Sequence, residues 1–126
     1  MQDRPTAPEL LEALAELLFT DVREWVPRER RFQVLVAANV CAVVARELRA
    51  GREPTLADLE LFRALAAGYE PPDADEGEED AARAAAAELA RAIRAGGLDD
   101  ELPAVIGRLR EHVRRKLDIA RPGYAD

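Results

Sequence analysis

Leu10, Leu11, Leu14, Leu17, Leu18, Val22 and Trp25 recur three and four positions apart, while Glu12, Glu16 and Arg23 fall between them. That spacing gathers the apolar side chains on one face and predicts an amphipathic helix from about Thr6 to Val26, before Pro27. Thr6 and Glu9 stand as a capping box at its start, and Pro8 falls in the first turn, where its missing N–H does little harm. A second apolar segment behaves differently. From Phe32 to Val44 nearly every position is apolar, so a helix from about Glu29 to Ala50, closed by Gly51, is expected to be buried on most sides. Its place is either the centre of a bundle or an oligomer interface.

Three further helices follow. One starts at Thr55, with Asp58 as a short capping-box partner; it carries Leu59, Phe62, Leu65 and Ala66 inward and ends at Gly68, with Tyr69 folded back on Leu65. The next, from about Glu79 to Ala95, places three acids at its N-terminus, where the helix dipole favours them. Its inner face is thin, made of Ala82, Ala85, Ala86, Leu89 and Ile93, and so depends on close approach to a neighbour. The last begins near Asp99 or Asp100 and carries Leu102, Val105, Ile106, Leu109, Val113 and Leu117 on one stripe and Arg108, Arg110, Arg114, Arg115 and Lys116 outside it. No strand-length alternation or internal repeat occurs. The expected architecture is all-α: one domain over residues 1–126, a single five-helix bundle with a mostly buried second helix and an acidic loop at 70–80.

Composition narrows the chemistry. The 126 residues include no Ser and only one Cys (Cys41), one His (His112), one Lys (Lys116) and one Asn (Asn39). A serine nucleophile is excluded, and neither an internal disulfide nor a Cys/His zinc site can be assembled within one chain. The net charge of −7 resides in one place: seven acids and no base lie between Glu70 and Asp80, and the remainder balances at 18 acids and 18 bases. Asp73, Asp75 and Gly77 superficially follow the opening of a calcium loop, but Gly77 falls fifth, not sixth, and Ala84 holds the twelfth position that needs a bidentate Glu. No metal or cofactor is expected. The longest apolar run is too short to cross a bilayer, and the opening residues lack the basic leader and apolar core of a signal peptide, so the expectation is a cytoplasmic protein without membrane contact.

Among candidate contacts, Asn39 is the lone polar group inside the apolar run and shares a helix face with Arg46 and Glu47. These three read either as the polar end of a ligand pocket or as a cross-bundle hydrogen bond that fixes register, the plainer of the two. His112 lies one turn from Arg108 and Arg115; as an acid–base catalyst it lacks a placed nucleophile or orienting carboxylate, so the plainer reading is a boundary histidine. Arg108 precedes it with three residues between, short of the Arg-x4-6-His spacing of helical nucleic-acid-processing enzymes. Arg31, Arg115 and the neighbouring arginines suit phosphate by geometry, although interspersed acids fit a solvated helix surface equally well.

Three stretches resemble a known family: Arg4-Pro-Thr-Ala-x-Glu-Leu-Leu-Glu-Ala, then Phe32-x-x-x-Val36-Ala-Ala-Asn39-x-x-Ala42-x-Val44-x-Arg46-Glu47, and Lys116-Leu-x-Ile119-Ala-x-Pro122-x-Tyr124. The family consists of small bacterial helical proteins of unknown function, encoded beside aminoglycoside-phosphotransferase-like kinases and acyl-CoA dehydrogenases. The resemblance carries no catalytic residue. It implies an accessory role in acyl-CoA or hydroxy-acid catabolism, with the kinase or the dehydrogenase as partner. The residues and the resemblance together favour a non-enzymatic interaction protein that forms a homo-oligomer, a dimer being the simplest, or binds such an enzyme, and that does not bind nucleic acid. The alternative is a small-ligand module for an acyl-CoA or another phosphate-bearing molecule.

Overall fold

The computed structural model of the chain describes residues 3–67, 69 and 77–124. Within them the regular structure is helical, with no strand, and the five expected helices are present: α1 (Ala7–Leu17), α2 (Arg31–Ala50), α3 (Glu53–Leu65), α4 (Glu78–Arg94) and α5 (Leu102–Ala120). No helix among the described residues is long and apolar enough to cross a membrane. By contact the chain divides into two compact units, one reaching to Gly51 and including Ile119–Pro122, the other running from Arg52 to Asp118 and including the chain from Gly123.

In the first unit, Thr6 caps α1 as its sequence predicts. The Thr6 hydroxyl accepts the Glu9 N–H, and the Glu9 carboxylate accepts the Thr6 N–H at 2.6 Å, so two amides orphaned at the helix start are satisfied together. The helix does not run unbroken to Val26. A π-helical turn, Leu18–Val22, follows α1 before three more α-helical residues, Arg23–Trp25. One residue inserted in a turn rotates everything after it by about 100° around the axis, which takes Trp25, 73% exposed, out of line with the leucine stripe of α1.

A 3-10 turn, Arg28–Arg30, leads into α2. Gly51 closes α2 with a φ of 61°, a backbone setting that an L side chain rarely adopts, and donates its N–H to the Glu47 carbonyl. Within one chain α2 buries only Ala38 and Ala45, while Phe32, Val36, Val40, Val44 and Leu48 stay exposed. The all-round burial expected from its sequence is not reached: α2 packs chiefly against α1, and the row from Phe32 to Leu48 is left uncovered.

The second unit is built around α3 and α4. Leu59, Leu61 and Phe62 from α3 pack with Ala81, Ala82, Ala85 and Leu89 from α4, and Leu65, Tyr69, Ile93, Leu98 and Leu109 close around them. Ala85 is fully buried, as a helix with an alanine face must be when it approaches its neighbour closely. Helix α3 starts two residues ahead of its expected position. Pro54 is accommodated within the first turn, and the Leu56 N–H already reaches the Arg52 carbonyl at 3.1 Å. Asp58 is therefore not a cap, and its carboxylate is free for another use. At the other end Ala67 takes a φ of 56°; Gly68, expected to end this helix, and most of the acidic loop, residues 70–76, lie outside the described residues. The first-turn acids of α4 fall as expected: Arg52 grips Glu78 through two nitrogens, with Nε 2.9 Å from Oε2, and Glu79 and Asp80 meet Arg83.

Candidate functional site

In the second unit Asp58 brings together two residues that the sequence places 54 and 57 positions away. Its Oδ1 accepts a hydrogen bond from Arg115 Nη2 at 2.6 Å and lies 2.8 Å from His112 Nδ1. Although the distance suits a hydrogen bond, the ring N–H does not point along it, so His112 and Asp58 gain more from proximity than from alignment. The Asp58 and His112 side chains are only 16% and 17% exposed. Phe62 lies edge-on to the imidazole, with centroids 5.0 Å apart and an interplanar angle of 67°. Burial alone would push the Asp58 carboxyl up; Arg115 and His112 outweigh it and hold the group below its ordinary range.

The carboxylate that sequence reasoning lacked beside His112 is thus supplied by α3. Such a pair is one part of an acid–base device, yet catalysis also needs a reacting group held at the imidazole. The cluster as it stands is a clamp: an acid on α3 holding a cation and an imidazole of α5 beside a buried aromatic ring. The only sequence signal for it is that Asp58 sits next to Leu59, at the edge of the inward stripe.

The other expected contacts separate. Asn39 is exposed, so its amide is hydrated and requires no buried partner. Glu47 is exposed as well. Arg46 turns to the end of the last helix, where its Nε donates to the Ile119 carbonyl and its Nη2 lies 3.4 Å from the Ala120 carbonyl. These carbonyls have no intrahelical donor, and an arginine there also meets the negative end of the helix dipole. Arg31 pairs with Glu24 at 3.6 Å, beside Arg23, which stacks on Phe19 with 4.9 Å to the ring centre. Asn39, Arg46 and Glu47 therefore do not assemble into one polar pocket end.

Two surfaces remain open. On α5 a shallow groove of about 400 Å³ is lined by Ile106, Leu109, Val113 and Leu117, with Arg110 and Arg114 along its edge. In the first unit, Glu12 and Arg49 form a two-pronged pair, both contacts at 2.7 Å, and Arg49 holds the Glu12 carboxyl below its ordinary range. Because α1 and α2 run antiparallel, that pair marks one flank, and helical periodicity carries Leu10, Leu14, Leu17, Val44 and Leu48 away from it. All five are exposed. With Val36 and Val40 they put seven exposed large apolar side chains on these two packed helices.

Fold and surfaces define an all-helical protein with an ion-pair clamp inside one unit and an open apolar face on the other. The chain belongs to the DUF6285 family, a domain of unknown function, which matches residues 24–124. The match agrees with the sequence reading to the extent that the family is an uncharacterised one, and it spans the second and third of the stretches quoted for the resemblance. No curated protein and no solved structure matches the chain.

Proposed function

We propose that the chain is a non-enzymatic, cytoplasmic interaction protein that works through the apolar face of its α1–α2 unit. The observation that carries this reading is the exposure of Leu10, Leu14, Leu17, Val36, Val40, Val44 and Leu48 on one pair of helices. Apolar surface on that scale is unfavourable in water by about 25 cal/mol for each Å² and is relieved by a partner. The absence of Ser and the single Cys, His and Lys fit a binding role better than a catalytic one. Its partners are a second copy or an enzyme of acyl-CoA or hydroxy-acid catabolism, with the phosphotransferase-like kinase and the acyl-CoA dehydrogenase indicated by the sequence resemblance as the first to try. Light scattering on the purified chain, together with pull-downs against those two enzymes, tests this reading. Self-association or capture is expected; a strict monomer that retains neither enzyme would overturn it.

The α5 groove favours a second reading, a module for an acyl-CoA or other phosphate-bearing amphiphile. Its floor is apolar, and Arg110 and Arg114 stand one helical turn apart along its edge, so a chain on the floor would bring an anionic head to the guanidinium groups. Thermal unfolding across a panel of acyl-CoAs and nucleotides is expected to show a raised melting temperature with long-chain acyl-CoAs, and Arg110→Ala with Arg114→Ala should abolish the rise. An unchanged melting temperature throughout the panel removes this reading.

A further inference from the structure

On α2 the exposed residues Phe32, Val36, Val40, Val44 and Leu48 stand four apart in a single row. Such a row is an inclined ridge on the helix surface, the unit from which helix pairs pack. Its order is nearly the same read from either end: a large apolar side chain, three valines, a large apolar side chain, with Val40 at the middle. The polar residues beside the ridge follow the same symmetry. Gln33 lies seven positions before Val40 and Glu47 seven after it, and both are exposed. Arg30 donates to the Gln33 side-chain oxygen at 3.1 Å, which leaves the Gln33 NH2 group available as a donor.

In an isologous dimer the same patch of each copy meets its mate across a two-fold axis, and a row that is nearly the same from either end can meet a second copy of itself with large side chains against large ones and valines against valines. We infer that two copies of this chain pair α2 against α2 about a two-fold axis close to Val40, the valine ridges packing together and the Gln33 amide of each copy meeting Glu47 of the other. The pairing turns each polar group towards one of complementary character. A standard stable interface buries about 800 Å² per copy, and the pairing draws on eight large apolar side chains between 36% and 74% exposed: Phe32, Val36, Val40, Val44 and Leu48 of the ridge and Leu10, Leu14 and Leu17 of α1. The inference rests on the interaction reading above and commits it to one partner and one geometry.

The experiment combines solution mass with cysteine scanning. Single cysteines are placed at Val36, Val40, Val44 and Leu14 in a Cys41→Ala background and treated with a short bis-maleimide. The native chain is expected to be a dimer, with cross-linking greatest at Val40 and weaker on either side of it. Val40→Glu should place two like charges together and raise the dimer dissociation constant by roughly 100-fold or more. Its helical circular dichroism should be unchanged, because Val40 is exposed within one chain. A dimer whose strongest cross-link is at Leu14, or one that tolerates Val40→Glu, overturns the geometry. A monomer that still captures one of the enzymes overturns this inference and leaves the interaction reading standing.

Discussion

Phe62→Ala is expected to cost about 3–5 kcal/mol of stability, the range for removing a large aromatic side chain from a packed core. The full cost is expected because of what lies opposite. Phe62 is 7% exposed, and of the four buried α4 residues in its cluster three are alanines, Ala81, Ala82 and Ala85, with Leu89 the fourth. Alanines have no side-chain length with which to fill a vacated volume, and Ala85, already fully buried, cannot move further in. The same substitution removes the ring against which His112 is set. Urea unfolding followed by circular dichroism should show the midpoint falling with the slope unchanged, or cooperative unfolding lost altogether. A loss below 1 kcal/mol would mean that the α3–α4 core is not the main support of its unit.

The elements that sequence pattern places correctly are those set by neighbours in the chain. The capping box at Thr6, the glycine at 51 and the acids opening α4 each act within one or two helical turns, and the structure puts them where the pattern does. The alanine face of α4 was equally readable, since small side chains at helical spacing have no use other than close approach. What the pattern does not carry is which distant residues meet. Thr55 three positions before Asp58 suggests a helix cap; the actual start at Glu53 frees the Asp58 carboxylate for partners on another helix. Its shared helix face with Asn39 makes Arg46 a candidate ligand contact, and it instead meets carbonyls more than 70 positions away. Apolar neighbours in sequence make Asn39 look buried, but periodicity says which residues share a face and not whether anything covers that face. The π-turn after α1 has no local signature of this kind, and its one-residue insertion is enough to move Trp25 out of register.

Asp58→Ala is expected to cost about 2–3 kcal/mol near neutral pH, the range for charge-assisted hydrogen bonds together with the groups left behind. The loss stays below that of a fully buried pair because Arg115 remains 31% exposed and water screens part of its charge. Removing the carboxylate leaves the Arg115 guanidinium and the His112 ring without the oxygen they share, so two polar groups are left facing a small apolar side chain. The acid dependence follows from the direction in which Asp58 is shifted. Its carboxyl is held below the ordinary range in the folded chain, so the unfolded chain takes up this proton first as the pH falls. The stabilisation is therefore fully present above about pH 4, the ordinary value for an aspartate, and is lost as the pH drops through the lower, folded value. Asp58→Asn, which keeps the shape and removes the charge, separates this effect from packing. The stability gap between the native chain and Asp58→Asn should hold its full size above about pH 4 and close as the pH falls below that value. A gap that is absent at neutral pH, or that does not close as the pH falls well below about 4, would show that α5 is held to α3 without the Asp58 charge.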